Sequence, residues 1–353
     1  MKRNKYHIIG VMSGTSLDGI DLAEIIYNFS EAKWNFEIIT AETVPYSSFW
    51  KDELREAINY SEEKLERLDF KYTEKLSEEI LKFIKKHNIP EIDAVCSHGH
   101  TILHQPEKGF TYQIGNLPKI SKMLGQTVVC DFRVQDVELG GQGAPLVPIG
   151  DRLLFPEYDY CLNLGGFANC SFEKNGERIA FDICPVNIVL NNYAEKLGHN
   201  FDEGGKLAAS GKVNEALLVK LNTLPFYNKK PPKSLGLEWV KEQIFPLLDA
   251  SGISSEDILR TFTEHIAVQL AKQFRENASV LISGGGAYNS FLIERVNKIA
   301  QVETTIPFRE IVEFKEALIF GLLGVLKLRD EVNCLASVTG AERDHASGKI
   351  FSP

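Results

Sequence analysis

The chain has 353 residues, 44% hydrophobic and 25% charged, which is ordinary for a soluble globular protein and long enough for two domains. The formal net charge of −9 argues against a nucleic-acid partner, because neutralising phosphates requires a basic face. The longest uncharged apolar run, Ala317–Leu326, is about half of a membrane span, so no membrane partner is expected.

The N-terminus and the cysteines indicate an untargeted, reduced protein. The first apolar run is too short for a signal peptide, and Asp18 and Asp21 follow it closely. The six cysteines form no Cys-x-x-Cys pair, and none has a histidine at zinc-finger spacing. Buried reduced thiols and a cytoplasmic location are therefore predicted.

Elements in the first half of the chain alternate between strand and helix. The sequences "YHIIGVM", "IDLAEIIY" and "WNFEIITAETVPY" predict three strands, and apolar residues at helical spacing predict helix from about 48 to 88. Strands follow at "DAVCSHG", "TYQIG" and "TVVCDF", with a helix at "NLPKISKMLG". The glycine-rich segment from Glu138 to Asp151 is expected to be a crossing or active-site segment.

The second half continues the same alternation. Two strands flank the glycines of "YCLNLGGFANCSFE", "RIAFDICPVN" is another strand, and helices are predicted over 187–198, 211–223 and 254–276. The segment "SVLISGGGAYNSFLIERV" reads as strand, triple glycine and helix. A buried helix beginning at Lys315 completes an α/β pattern, because "KEALIFGLLGVLKLRDEV" is apolar nearly all round.

Three glycine turns are candidate nucleotide contacts. The stretch "GVMSGTSLDGID", Gly10 to Asp21, lacks the lysine of a P-loop and continues as a strand, so it forms either a polar hairpin or an anion-binding turn. "NLGGFAN" repeats this hairpin logic, and "LISGGGAYN" ends a strand and opens a helix, where backbone N–H groups favour anions. Two such hairpins and then a strand–glycine–helix turn is the order found in the actin, Hsp70 and sugar-kinase superfamily.

Carboxylates at the ends of elements are the candidate bases. Asp182 in "AFDICPVN" lies at a strand end, where it is either a general base or a turn or cap residue. Arg133 and Asp136 either bind polar substrate groups or pair with each other. Glu316 is placed in the first turn of the apolar helix, where it would stabilise the dipole.

Three histidines, His98, His100 and His104, resemble a metal cluster at first sight. No set of carboxylate or cysteine ligands at a usual metal-site spacing accompanies them in the sequence. Hydrogen-bonding or core histidines are therefore favoured over metal ligands.

The chain resembles the anhydro-N-acetylmuramic acid kinase family nearly from end to end. The resemblance lies in "GVMSGTSLDGID", "SHGHTILHQP", "DFRVQDVELGGQGAPLVP", "LNLGGFAN", "FDICPVN", "PPKSLGLE", "ISGGGAYN", "KEALIFG" and "LASVTGA". It implies a two-domain α/β fold of the actin-like ATPase and sugar-kinase, ribonuclease H-like, type with an active-site cleft between the domains. The implied partners are ATP, Mg²⁺, the sugar and a second copy of the chain.

The implied reaction phosphorylates 1,6-anhydro-N-acetylmuramic acid while water opens the anhydro ring, which gives N-acetylmuramic acid 6-phosphate and ADP in peptidoglycan recycling. By resemblance Asp182 is the base and Glu316 lies near the sugar, so both are assigned as catalytic. Asp18 would reach Mg²⁺ through water. The implied nucleotide contacts are Gly14, Thr15, Ser16, Asp18, Gly19, Asp21, Gly165, Gly166, Asn169, Gly284, Gly285, Gly286 and Asn289. The implied sugar contacts are His98, Arg133, Asp136, Gln142 and Asn187.

Two segments depart from the family pattern. The family's usual Phe-Asp-Thr-Gly-Pro-Gly-Asn is "FDICPVN" here, and its Ser-Thr-Gly-Arg-Glu is "SLGLE". These departures leave two alternatives, a kinase of the same fold that acts on another sugar and a non-catalytic sugar or nucleotide sensor. The predicted domains are residues 1–130 with 335–353, and residues 131–334.

Overall fold

A computed structural model of the chain describes residues 3–14 and 16–353. By contacts between residues the chain divides into two compact units, Met1–Leu154 with Phe314–Pro353 (unit 1) and Phe155–Glu313 (unit 2). The sequence analysis places its domain bounds at other residues, after 130 and after 334, and that functional division stays a prediction.

Strands and helices alternate through the described residues, as the sequence pattern predicts. The strands are β1 Lys5–Ser13, β2 Gly19–Ser30, β3 Lys33–Pro45, β4 Ala94–Gln105, β5 Phe110–Ile114, β6 Val128–Cys130, β7 Tyr160–Leu164, β8 Phe167–Lys174, β9 Glu177–Pro185, β10 Ser279–Ser283, β11 Glu303–Thr305 and β12 Lys349–Phe351. The α-helices are α1 Ser48–Glu56, α2 Glu62–His87, α3 Lys119–Leu124, α4 Val134–Glu138, α5 Val147–Leu154, α6 Asn187–Glu195, α7 Lys206–Ser210, α8 Glu215–Asn222, α9 Leu237–Trp239, α10 Phe245–Asp249, α11 Ser255–Ala271, α12 Ser290–Ala300, α13 Arg309–Leu328 and α14 Ala336–Thr339. Short 3₁₀ segments are Ala57–Asn59, Pro106–Lys108, Glu203–Gly205, Pro225–Asn228 and Gly285–Tyr288, and Val240–Ile244 is a π-helix.

The two sheets share one connectivity. In unit 1 the strand order is β12-β6-β4-β1-β2-β3, with β5 paired to β4; in unit 2 it is β11-β10-β7-β8-β9. Each sheet begins with an antiparallel meander of three strands, and β4 and β6 in unit 1, like β10 and β11 in unit 2, add in parallel beside the first strand. In unit 1, β5 pairs antiparallel with β4, and β12 pairs antiparallel with β6. This repeat of meander and parallel strands is the α/β architecture expected of the actin-like and sugar-kinase fold, and it confirms the predicted fold class.

Helices cover both faces of the unit 1 sheet. Residues of β1 and β2 such as Ile9 and Leu22 pack with α1 and α2 in one buried cluster. On the other face α13 lies so close to the sheet that a Cβ on Gly10 would stand 2.2 Å from the carbonyl oxygen of Ala317. A Cβ on Gly324 would likewise stand 2.2 Å from the Cys96 sulfur. Glycine at these positions therefore permits close packing of helix on strand.

The apolar helix near the C-terminus is buried, as predicted, but α13 also includes residues before it. Helix α13 starts at Arg309 rather than Lys315, and Phe314 breaks its regular geometry with φ −113° and ψ 17°. The helix that follows this break begins at Lys315, as predicted, so Glu316 lies in the first turn of that segment. Ala317 to Phe320 and Leu322 to Leu326, apart from the glycines, are nearly inaccessible. No helix formed by the described residues has the length and apolar character that crossing a membrane requires.

Unit 2 has its own core between its sheet and helices α6, α8, α11 and α12. Buried residues of β7–β10 pack there against Phe262 and Ile266 of α11. All six cysteines are buried and none forms a disulfide bond, in agreement with the prediction of buried reduced thiols.

Candidate functional site

The first glycine turn joins β1 and β2 as an exposed hairpin. Met12 pairs with Asp21 across the two strands, and the N–H of Leu17 donates to the carbonyl of Gly14 over 3.3 Å. Ser16 and Asp18 are exposed, and a Cβ on Gly14 would meet only the Ser16 hydroxyl, at 3.7 Å. Packing therefore does not explain the glycine, which leaves the backbone open to an anion. Thr15 lies outside the described residues.

A buried network holds the end of β1 at this turn. The Ser13 hydroxyl is 2.6 Å from the Tyr46 hydroxyl and 2.8 Å from Nδ1 of His100, and Tyr46 is 2.5 Å from the Tyr72 hydroxyl. Burial lowers the pKa of His100 to about 4, so the ring is neutral at pH 7. The sequence analysis favours such a hydrogen-bonding role for this histidine but does not connect it with the phosphate turn.

Arg133 is fixed by two bonds that leave part of its guanidinium unused. Its Nε donates to Nε2 of His98 over 2.8 Å, and Nη1 donates to the carbonyl of Gly143 over 2.6 Å. Nδ1 of His98 lies 3.0 Å from the carbonyl of Gly99, so Nδ1 carries the proton and Nε2 accepts from the arginine. Burial and the arginine charge lower the pKa of His98, which keeps the ring neutral. Nη2 of Arg133 has no hydrogen-bond partner among the described residues.

Glu316 lies in the electrostatic field of Arg133 and Asp21. Desolvation by the surrounding protein raises the pKa of the Glu316 carboxyl. The positive charge of Arg133 opposes this shift, and the negative charge of Asp21 adds to it. The residue is nevertheless exposed to solvent, so the carboxyl does not lie in the hydrophobic core. The Arg133 guanidinium has its own pKa lowered to about 10, chiefly by burial. The structure thus brings together four predicted residues, His98, Arg133, Glu316 and Asp21.

Asp136 and Gln142 form hydrogen bonds that hold the glycine-rich segment from Glu138 to Asp151. Asp136 is inaccessible to solvent and accepts from the N–H of Gly143 over 2.7 Å and from the Thr339 hydroxyl over 2.7 Å. Gln142 is exposed, and its N–H donates to the carbonyl of Thr339 over 2.8 Å. Asp136 therefore orders the backbone of this segment, and no salt bridge joins it to Arg133 among the described residues. Its predicted contact with substrate stays a prediction.

The second glycine turn joins β7 and β8 in unit 2. Asn163 pairs with Asn169 across the strands, and the carbonyl of Gly166 accepts from the N–H of Val186 over 2.8 Å. A Cβ on Gly166 would meet only Ile188, at 3.9 Å, and one on Gly165 would meet the Asn163 side chain at 3.3 Å. The space beside the backbone of Gly166 is therefore open, as it is at Gly14.

Asp182 lies on β9, the strand next to this turn in the sheet, where it pairs with Asn169 of β8. Its Oδ2 accepts from the N–H of Leu235 over 2.8 Å, and its own N–H donates to the carbonyl of Lys233. The other oxygen, Oδ1, has no hydrogen-bond partner among the described residues. Burial raises the pKa of the carboxyl, and the Leu235 N–H opposes the shift. A half-buried carboxylate with one free oxygen and a raised pKa has the character of a general base.

The third glycine turn lines a cavity of about 600 Å³ within unit 2. Gly284 has φ +80°, and a Cβ there would stand 2.6 Å from Oδ1 of Asn163, so this glycine is required by the fold. Asn289 caps α12 by accepting from the N–H of Leu292 over 2.9 Å. The cavity is lined by Asn187, Leu190, Asn191, Phe201, Asp202, Glu203, Gly204, Lys206, Gly285, Gly286, Tyr288 and Asn289.

The sequence analysis misses several residues of this cavity. Phe201 and Tyr288 are aromatic side chains with more than a third of their surface exposed, and Glu203 and Lys206 are polar neighbours. Exposed aromatic residues beside a glycine turn are the signal that would have found them. Asn187, predicted as a sugar contact, lines this cavity, and its amide donates to the carbonyl of Leu164 beside the second glycine turn over 3.2 Å; its contact with the sugar stays a prediction.

Comparison with known proteins gives one consistent family. The family model described as anhydro-N-acetylmuramic acid kinase matches residues 6–353. The chain is 33% identical to an anhydro-N-acetylmuramic acid kinase from Mannheimia succiniciproducens, with 98% of this chain and 99% of that protein covered. It is 34% identical to one from Francisella tularensis subsp. novicida, with 99% of each covered. Among solved structures it is similar to the activator of the 2-hydroxyisocaproyl-CoA dehydratase from Clostridium difficile with bound ADPNP, at 14% identity, TM-score 0.46 and coverage of 92% and 96%.

Proposed function

Because the chain belongs to the anhydro-N-acetylmuramic acid kinase family, we propose that it converts 1,6-anhydro-N-acetylmuramic acid, ATP and water to N-acetylmuramic acid 6-phosphate and ADP. The observation that carries this proposal is the family match across residues 6–353, which includes all three glycine turns. The reaction would serve the recycling of cell-wall sugars.

The nucleotide would use the three glycine turns. Gly14 and Gly166 have space beside their backbone that no protein atom requires, which suits close approach of phosphate oxygens. The cavity beside Gly285 offers the aromatic rings of Phe201 and Tyr288 to a nucleobase and polar side chains to a ribose. Its volume of about 600 Å³ is within the range of small-ligand sites.

The oxygen donors at the first turn fit a magnesium ion. Asp18 and Asp21 carry carboxylates at the turn and at the start of β2, and Mg²⁺ prefers oxygen ligands and retains several waters. Asp18 would hold the ion through water. When bound, Mg²⁺ neutralises phosphate charge during transfer.

Asp182 would act as the base. Its free Oδ1 accepts a proton from water, the water oxygen bonds to the anomeric carbon, and the bond from that carbon to O6 breaks. O6 then takes the γ-phosphoryl group, and the proton leaves Asp182 to solvent. A carboxylate that activates water at an anomeric carbon is the arrangement of an inverting glycosidase. The Leu235 N–H keeps the carboxyl oriented, since it binds the other oxygen.

Arg133 would recognise the lactyl carboxylate of the sugar. Its Nη2 is unused, and a guanidinium is the side chain best suited to bind a carboxylate. His98 and the carbonyl of Gly143 fix the guanidinium in place, so little side-chain entropy is lost when the sugar binds. Glu316 would bind sugar hydroxyl groups beside it.

The proposal is tested with ATP, Mg²⁺ and the anhydro sugar in ¹⁸O-labelled water. The expected product is a sugar 6-phosphate with ¹⁸O on the anomeric hydroxyl and none in the phosphate. Asp182→Asn should lower kcat by ~10²–10⁴-fold, the usual contribution of a general base, and Asp249→Asn is the matched exposed control. Absence of turnover by the wild-type protein would refute the proposal, and turnover of a different sugar in a panel would support the alternative substrate.

The family resemblance also supports a homodimer that works in the cytoplasm. Sedimentation velocity on the purified protein would measure the assembly state. A single species with the mass of one chain across a wide concentration range would contradict the dimer.

A further inference from the structure

Three buried side chains of unit 1 place a carboxylate, a thiol and an imidazole around one point. They are Asp136 of α4, Cys334 after α13 and His345 near the C-terminus. One ligand atom from each, an aspartate oxygen, the cysteine Sγ and a histidine nitrogen, lies within 4.8 Å of the other two. Oδ1 of Asp136 is 3.0 Å from Sγ of Cys334 and 3.6 Å from Nε2 of His345.

The imidazole of His345 carries the observation that points to a ligand. Its Nδ1 lies 3.0 Å from the carbonyl of Arg343, and because a carbonyl only accepts, Nδ1 carries a proton. Nε2 is buried without a hydrogen-bond partner, and the residue is only 6% exposed. Nε2 is 3.6 Å from Oδ1 of Asp136, beyond hydrogen-bond distance, which leaves this nitrogen available to a proton or a cation between the two groups.

We propose that Asp136, Cys334 and His345 bind a divalent cation of the zinc type, at a site separate from any magnesium held with ATP. Carboxylate, thiolate and imidazole are the ligand types that Zn²⁺ uses, and a sulfur ligand disfavours Mg²⁺. Zinc–ligand bonds of about 2.0–2.3 Å in a tetrahedron separate ligand atoms by roughly 3.3–3.7 Å, and the two distances from Oδ1 of Asp136, 3.0 Å to Sγ and 3.6 Å to Nε2, lie near that range.

The neighbours of the cluster already provide its supporting shell. The Arg343 carbonyl accepts from Nδ1 of His345, which is the usual way in which a metal-binding histidine is oriented. Oδ2 of Asp136 accepts from the Gly143 N–H. Oδ1 accepts from the Thr339 hydroxyl and from the Cys334 thiol, and a cation would take the place of the thiol proton. The Thr339 hydroxyl, 2.7 Å from Oδ1, is a candidate fourth ligand or donor.

Binding would displace the proton of the Cys334 thiol. Burial and the Asp136 charge raise the pKa of that thiol, so without a cation the sulfur stays protonated at pH 7. On binding, the S–H bond breaks, a bond from sulfur to the metal forms, and the proton passes to water. No oxidation or reduction is involved.

The consequence of the site would be structural. Asp136 orders Gly141–Gly143, whereas Cys334 and His345 belong to the chain that follows α13. A cation would join these two segments at a point where the Thr339 carbonyl already binds the N–H of Gln142. It would therefore tie the glycine-rich segment that accepts from Arg133 to the C-terminal part of unit 1.

The test measures metal binding directly on the full-length protein, untagged and treated with chelator. Zn²⁺ titrated against a competing chelating dye should bind at one equivalent per chain. Co²⁺ should give tetrahedral d–d bands with a thiolate charge-transfer band. Cys334→Ser and His345→Asn should each weaken Zn²⁺ binding by ~100-fold or more, since loss of a supporting residue alone costs ~10- to 100-fold. Cys170→Ser, which removes a buried thiol of unit 2, is the matched control.

Zn²⁺ should also raise the melting temperature of the wild-type protein and of Cys170→Ser, but not that of Cys334→Ser. A wild-type protein that binds no Zn²⁺ at micromolar concentration, or Co²⁺ bound without the thiolate band, would overturn the proposal. Equal Zn²⁺ affinity in Cys334→Ser would do so too. Should a variant not fold, the Co²⁺ spectrum of the wild-type protein decides alone. Kinase activity enters none of these outcomes, so failure of this site leaves the proposed function standing.

Discussion

Two glycines that look alike in the sequence should respond in opposite ways to alanine. Gly166 lies in the second hairpin and Gly284 in the third turn. At Gly166 the φ angle is outside the left-handed region, and an added Cβ would meet only Ile188, at 3.9 Å. At Gly284 φ is +80° with ψ 164°, and a Cβ would stand 2.6 Å from Oδ1 of Asn163 and 2.9 Å from the Leu164 carbonyl.

These geometries set the expected size of each effect. In Gly284→Ala the alanine must adopt a backbone conformation used almost only by glycine, which costs about 1–3 kcal/mol of stability. The close contacts of its Cβ with Asn163 and Leu164 cost about 1–3 kcal/mol more. We therefore expect a loss of about 2–6 kcal/mol in unfolding free energy. Gly166→Ala incurs neither cost and gains up to about 1 kcal/mol from reduced freedom of the unfolded chain. Its methyl group instead occupies the space assigned to phosphate oxygens.

Chemical denaturation and steady-state kinetics separate the two outcomes. Gly166→Ala should unfold at the wild-type denaturant concentration or slightly above it. Its KM for ATP should rise by at least ~10-fold, which is ~1.4 kcal/mol, with the KM for sugar unchanged. Gly284→Ala should unfold at clearly lower denaturant. An unchanged KM for ATP in a well-folded Gly166→Ala would refute the phosphate assignment, and equal destabilisation of both variants would refute the steric argument.

Three further predictions concern charge and protonation. Asp182 can accept a proton only when it is deprotonated, and burial raises the pKa of its carboxyl. The acid limb of the kcat–pH profile should therefore lie at a higher pH than the pKa of a free aspartate would give. An acid limb at the pH of a free aspartate would contradict the assignment of Asp182 as the base. Arg133→Lys should raise the KM for the anhydro sugar by ~10-fold or more but change little for the analogue that lacks the lactyl carboxylate; equal penalties would exclude carboxylate recognition. His265 hydrogen-bonds to Asn222 and Tyr227, and burial lowers the pKa of its imidazole in the folded protein to about 3. Because the imidazole binds a proton more readily in the unfolded chain, the free energy of unfolding falls as pH drops below about 6.5. That loss should reach about 2 kcal/mol at pH 5 and shrink in His265→Gln; an unchanged pH dependence by denaturation would count against it.

Local patterns in the sequence are sufficient to predict much of the fold. The strand–glycine–strand and strand–glycine–helix order predicts β1–β2, β7–β8 and β10–α12, because hydrophobic period and turn residues act over short distances. The short edge strands β11 and β12 are missed, whereas β6, which is equally short, is found because its three residues are all apolar and buried. The break at Phe314 is also missed, because the apolar pattern on its two sides does not reveal a change in backbone geometry.

The residues of the site are less predictable where contacts join distant parts of the chain. Arg133 and Asp136 are found as a polar pair, yet the bond of Arg133 to His98 depends on tertiary packing. No zinc-type spacing surrounds Cys334 in the sequence, and His345 is not recognised as a candidate; Asp136 lies about 200 positions before both of them. Spacing rules recognise metal sites built within one loop and miss those assembled by the fold.

The structure shows where the residues that depart from the family pattern at "FDICPVN" lie. Ile183, Cys184 and Val186 are the residues that replace the usual threonine and glycines, and all three are at most 1% exposed. They belong to the core of unit 2, whereas Asp182 keeps one oxygen free and Asn187 still reaches the second glycine turn. Larger side chains at these positions therefore fill the core beneath the site rather than the space beside the base. The difference should affect the stability of unit 2 more than the choice of sugar.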